Sequence, residues 1–195
     1  MNKEELKKQF LLKRLEDPHV EEWEKRDIRN KLGIFQELTE EAFEKYQNEN
    51  NIRFFYDYID QNINRLNRKN RTNNSLQELP DNLKSIYHLY PFSAILESDC
   101  FRDYSDQSLN HYEEENNDTS LREERDGLLK GLMDLELGAD KTFLEECWEK
   151  DEITDAELEQ IQEKFWSSGY KEDFLIRYVN FISKNKTELL GLQNT

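Results

Sequence analysis

Six glycines and three prolines in 195 residues leave little material for tight turns. Short-stranded β folds turn every few residues and draw on those two residue types. A chain this poor in both, and rich in Glu, Lys, Leu and Gln, is expected to be helical. The apolar spacing agrees. Ile52, Phe55, Tyr56, Ile59, Ile63 and Leu66 recur at steps of three, one, three, four and three, which places them on one helical face.

Other stretches carry weaker versions of the same signal. Leu6, Phe10, Leu11 and Leu15 mark a first helix over residues 3–16, closed by Pro18. Trp23, Ile28 and Leu32 mark a second, with Gly33 as its stop. Thr39 is placed as an N-cap, with Leu38 and Phe43 positioned as a hydrophobic staple. Leu83, Ile86, Tyr87 and Tyr90 define a helix over 81–90 that Pro91 should end, or else Pro91 starts the next one. Residues 92–101, FSAILESDCF, read as a buried helix. NRKNRTNNS, residues 67–75, has no apolar residue and reads as a loop, as does 102–119, where apolar residues thin out.

Four helices are expected in the last third. Leu121, Leu128, Leu129, Leu132, Met133 and Leu135 line one that stops at Gly138, and Phe143, Leu144, Cys147 and Trp148 line a short one. A capping box, Thr154-x-x-Glu157, opens a third that runs through Ile161 and Phe165 to Gly169. Phe174, Leu175, Tyr178, Val179 and Ile182 stripe the fourth. The joining segments are short, so these four, about residues 120–183, should pack antiparallel. The expected fold is all-α, an irregular bundle of eight to ten helices.

The core of such a bundle must be thin. Hydrophobic residues make up 35% and charged residues 36% of the chain, a balance that leans toward disorder. Eleven Phe, nine Tyr and three Trp argue the other way, because a few aromatics bury large areas. An ordered protein with a modest core and a heavily charged shell is the result.

That charge is unevenly spread. Residues 1–75 carry 15 basic and 15 acidic side chains, whereas 76–195 carry 12 and 28, the whole of the net −16. Between Glu97 and Glu163 there are 23 acidic and 6 basic residues. The boundary near residue 75 divides a charge-balanced N-terminal region, 1–75, from an acidic C-terminal one, 76–195, within one continuous domain or between two. A field of this sign repels nucleic acid, anionic lipid and acidic substrates, and attracts basic surfaces.

Asp103, Asp106, Glu113, Glu114, Glu115, Asp118, Glu123 and Glu124 concentrate the effect and are the candidate partner-binding residues. Runs of like charge often serve as interaction segments. They also serve simply as solvated surface. Arg65, Arg68, Lys69 and Arg71 form a local basic patch beside Phe54, Phe55, Tyr56 and Tyr58, but net charge opposes nucleic-acid binding and the patch suits a helix C-terminus. Trp148 and Trp166 suit interface anchors by type and core by spacing.

Patterns that specify chemistry are missing. Gly-x-Ser-x-Gly, Walker and Rossmann glycine patterns and an EF-hand loop are absent from the sequence. His111 with Glu114 and His19 with Glu22 have the i, i+3 spacing of helical carboxylate–histidine metal sites, but neither lies in a strong apolar stripe. His111-Tyr112-Glu113 lacks the following Pro-Cys-x-x-Cys of zinc deaminases. Cys100 and Cys147 are flanked by acids that raise a thiol pKa, the opposite of activation. Two isolated cysteines suit a reducing cytoplasm; the first ten residues lack an apolar signal region, and no stretch is long and apolar enough to span a membrane.

No catalytic residue, metal or cofactor is therefore expected. The sequence points to a non-enzymatic, cytoplasmic acidic protein that docks on a basic protein surface, such as a nuclease or another nucleic-acid-binding protein, and inhibits or regulates it. Immunity proteins and phage antagonists, which act as nucleic-acid mimics, belong to this functional type. A helical scaffold whose charge serves solubility, and a carboxylate-rich metalloenzyme, are the alternatives.

Overall fold

A computed structural model describes residues 3–32, 34, 37–98, 119–148 and 154–194, with most of their side chains. The described chain is all-helical, with no strand. Among the described residues ten α-helices follow one another: α1 (Lys3–Leu15), α2 (Glu22–Leu32), α3 (Glu40–Asn48), α4 (Ile52–Asn70), α5 (Asp81–Ser98), α6 (Thr119–Asp134), α7 (Gly138–Trp148), α8 (Asp155–Trp166), α9 (Ser168–Lys184) and α10 (Lys186–Gly191). A 3₁₀ turn, Leu192–Asn194, comes after them.

α5 is the axis of the bundle. Leu83, Ser85, Ile86, His88, Leu89, Phe92, Ser93 and Leu96 are all buried and cover a broad arc of the helix, while Asp81 and Pro91 are exposed. An apolar face this wide marks a helix packed against several neighbours. α4, α6 and α9 pack around it. Phe92, fully buried, meets Phe165 of α8 and Phe174 of α9 edge-on, with centroids 5.7 and 5.5 Å apart. Aromatic edge-to-face pairs add to what burial of the rings already contributes. The Tyr178 hydroxyl of α9 donates to the carbonyl of Ile86, so a buried polar tip is satisfied inside the core. One apolar cluster runs from Leu38 to Leu192.

Local rules account for the helix ends. Thr39 accepts the amide of Ala42 at 3.1 Å, with Leu38 and Phe43 both fully buried on either side of it, the expected staple. Asn51 caps α4 by accepting from the Phe54 amide at 3.1 Å, and Ser167 caps α9 by accepting from Tyr170 at 3.3 Å. The C-terminal turn closes back on the start of the core. Gln193 Oε1 accepts from the Leu38 amide at 3.0 Å and its Nε2 donates to the Leu38 carbonyl at 3.4 Å. Arg65 of α4 donates to the Leu192 carbonyl at 2.9 Å.

Several boundaries differ from those the sequence predicts. Residues 67–70 are the last turn of α4, not loop, and the helix stops at Arg71, whose φ of 54° is left-handed. The residues after Arg71 are no solvated linker: Ser75 is fully buried and its amide donates to Asn67 Oδ1 at 3.0 Å. Side chains of this segment accept backbone amides of a folded turn, Asn67 from Ser75 and Thr72 from Asn74 at 3.2 Å. Pro91 does not break α5, which continues to Ser98. Its ring forfeits one backbone hydrogen bond, a loss that dense packing on both sides of it outweighs. α6 ends at Asp134, with Glu136 at a left-handed φ of 62°, so Gly138 opens α7 instead of stopping α6. Gly169 likewise sits in the first turn of α9. Met133 is 52% exposed, although its spacing places it in the apolar stripe.

α1 and α2 form a hairpin of their own. Val20 and Ile28 are buried within it, Arg14 pairs with Glu24 at 2.5 Å, and among the described residues neither helix contributes to the main cluster. Among the described residues no helix is long and apolar enough to cross a membrane.

If α5 organises the core, Phe92→Ala should lower stability by about 3–5 kcal/mol, the usual range for removing a buried aromatic. Urea denaturation measures this; a loss under about 1 kcal/mol would place Phe92 outside the core.

Candidate docking surface

The candidate surface begins with how α5 and α6 touch. Ser85 Oγ donates to Asp134 Oδ2 at 2.6 Å, His88 lies on Gly127, and Leu89 lies on Gly131. Lys130 reaches the same Ser85 hydroxyl at 3.4 Å and Asp134 at 3.0 Å. Early residues of α5 meet late residues of α6, so the helices are antiparallel. Extended along both axes, this register sets Ser98, the end of α5, opposite Thr119, the start of α6.

Glycine makes the approach this close. A Cβ on Gly131 would stand 2.6 Å from Leu89 Cγ, and one on Gly127 would run into the His88 ring, 2.7 Å from Nε2. No side chain fits at either place. Gly127 and Gly131, four residues apart, lie on one face of α6 and form a flat strip against α5. Leu128, Leu129 and Leu132 beside them are buried and anchor α6 in the core.

The sequence between these two ends, 99–118, holds seven acidic residues and one basic residue. Of the candidate partner-binding residues, Glu123 and Glu124 are exposed on α6. Asp103, Asp106, Glu113, Glu114, Glu115 and Asp118 lie outside the described residues. So do His111, Cys100 and the side chains of Cys147, Trp148, Glu157 and Trp166.

Other sequence candidates resolve into structural roles. Arg65 is held by the Leu192 carbonyl and helps fix the C-terminal turn, while Arg68 and Lys69 lie in the last turn of α4, where cations are favoured. His19 sits exposed in the turn after α1, its amide bonded to Asp17 Oδ1 at 2.9 Å. Among the described residues, no group of three or more His, Cys, Asp or Glu is placed to hold a metal ion.

One charged cluster is invisible in the sequence pattern. Asp140, in the first turn of α7 and only 7% exposed, takes an ion pair from Lys164 of α8 at 2.8 Å and a hydrogen bond from the Tyr170 hydroxyl of α9 at 3.3 Å. The Lys164 ammonium also stands 4.8 Å from the centre of the Phe143 ring. Burial, and then the Asp140 charge, raise the Tyr170 pKa well above the usual 10, so the phenol stays a donor. The phenol, the carboxylate and the ammonium tie three helices together. Asp140 resembles any other acid in this Glu-rich stretch; its position at a helix start is the one available signal.

No protein-family model, no curated protein and no solved structure matches this chain.

The glycine strip generates a sharp contrast. Replacing Gly with Ala inside a helix ordinarily stabilises by about 0.5–1 kcal/mol, and Gly169→Ala should do so, since nothing lies within 4 Å of its added methyl. Gly127→Ala should instead destabilise by about 1–3 kcal/mol, because the crowding at His88 outweighs propensity. Equal effects of the two substitutions in urea melts would contradict the close approach.

Proposed function

We propose that this chain is a non-enzymatic acidic binding protein that docks on a basic surface of a partner protein and thereby blocks or regulates it. The observation that carries this reading is the coincidence of charge and mount. The one run of three consecutive acids in the sequence, Glu113, Glu114 and Glu115, lies between two helix ends that the α5–α6 register sets opposite each other, next to exposed Glu123 and Glu124. A charged segment anchored at both ends to a packed hairpin loses less entropy on binding than a free tail does.

Nucleases and other nucleic-acid-binding proteins are the partner class that fits. Their surfaces already accept polyanions, so a cluster of carboxylates competes with phosphates for the same Arg and Lys side chains. Such complementarity raises association rate and specificity more than affinity. Immunity proteins and phage-encoded antagonists work in this way, in the cytoplasm. Direct nucleic-acid binding is disfavoured by the net −16, since phosphate contacts dominate that affinity.

A pull-down from cell lysate across a salt series tests the reading. Capture should weaken steeply as salt rises, because charge pairs are screened beyond about 8 Å at physiological ionic strength. Replacing Glu113, Glu114 and Glu115 together with Gln should weaken binding to the captured protein by on the order of 1–3 kcal/mol, at about 0.2–1 kcal/mol per exposed pair. Helix content should be unchanged, and DNA or RNA should compete for the same partner. Salt-insensitive capture, or a triple variant that binds as tightly as the parent, would reduce the charge to a solubilising role.

A further inference from the structure

His88 is placed where a proton would be hard to accommodate. It is 8% exposed, and its ring lies directly on the backbone of Gly127, with no room for a methyl group between them. The Tyr87 ring meets it edge-on at 5.6 Å. Among the described residues two charged groups face it: Glu123 from α6 and Lys84 from its own helix. On the α4 side, Asp60 is engaged by the Tyr87 hydroxyl at 3.4 Å, and on the α9 side the Tyr178 hydroxyl is spent on the Ile86 carbonyl. An imidazolium has two N–H donors to satisfy and a charge to solvate. Glu123 favours that charge, but at 8% exposure little of the residue meets water.

We propose that the α5–α6 hairpin is an acid-sensitive clasp, in which a proton taken up by His88 releases α6 from α5 and frees the two helix ends, Ser98 and Thr119, from each other. The close glycine contact is what gives the proton leverage. A ring that cannot shift along α6 without leaving Gly127 must carry the helix with it, whereas an exposed histidine would simply rotate into water. The consequence for partner binding rests on the docking reading above: a loosened mount would weaken docking as pH falls. The clasp itself does not depend on that reading.

The direction of the effect follows from linkage. Burial, reinforced by Lys84 and partly opposed by Glu123, holds the His88 pKa below the ordinary 6.5. The open state therefore binds the proton more readily than the closed one. Closed-state stability is complete above pH 6.5 and is lost as pH falls through 6.5 toward the lowered value.

Two measurements on the full chain alone, without any partner, test this. The first is an NMR titration of the His88 ring, expected to show a midpoint below 6.5. The second is hydrogen exchange at Leu128, Leu129 and Leu132 between pH 7.5 and 5.5, corrected for intrinsic exchange. Opening should increase by up to about tenfold per pH unit as pH falls below 6.5, and His88→Gln should abolish that dependence. A ring midpoint at or above 6.5, or the same pH dependence in His88→Gln as in the parent, would overturn the clasp. If His88→Gln does not fold, the ring titration decides. Because no partner is present, a failed clasp leaves the docking reading standing, and a failed pull-down leaves the clasp standing.

Discussion

The contact between α5 and α6 is the constraint on which the rest of the structure depends. α5 is buried over most of its surface, and the glycine strip of α6 lets that helix come nearer to it than side chains would allow. Dispersion between close-packed atoms is small for each pair and large in sum, so a flat contact over many atoms is strong without being rich in apolar residues. That suits a chain with 35% hydrophobic residues. Leucines need be spent only beside the strip, and aromatic pairs such as Phe92 with Phe165 and Phe174 complete the core on the other sides.

Charge and packing are divided along the same lines. The body is held by apolar contacts and a few buried polar ties: Tyr178 to Ile86, Gln193 to Leu38, and Asp140 to Lys164 and Tyr170. The exposed ion pairs, such as Arg177 with Asp173 at 2.7 Å, contribute at most about 1 kcal/mol each. Net repulsion from −16 charges therefore opposes a core assembled almost without electrostatic help. Among the described residues the acids other than Asp140 lie outside that core, and the field they create is left to act on other molecules.

Much of this is legible in the sequence, for a physical reason. Helical stripes such as Ile52 to Leu66 and Phe174 to Ile182 are set by burial on one face, and burial selects residue types that can be read directly. Thr39 and its staple are legible because a cap uses a fixed spacing. Contacts between distant residues are not. Gly127 and Gly131 look like ordinary weak points of a helix until α5 is laid against them. Ser75 looks like linker because its burial depends on Asn67, eight residues away. Gly138 and Gly169 mislead as helix stops, since Glu136 takes the left-handed turn and Ser167 supplies the cap. Of the candidate docking residues, the type and charge are legible; their mount between two apposed helix ends needs the α5–α6 register.

The α5–α6 register sets Ser98 and Thr119 side by side, so the acidic segment leaves and rejoins the body at one place. The most direct measurement of this is the distance between spin labels at positions 98 and 119, in a background with Cys100 and Cys147 replaced by Ser. Helices packed in contact have axes about 8–10 Å apart. A single narrow distance distribution matching two labels on such a pair is expected, and the same distribution after the Glu113, Glu114 and Glu115 to Gln changes. A broad distribution, or one centred well beyond the separation of two packed helices, would contradict it.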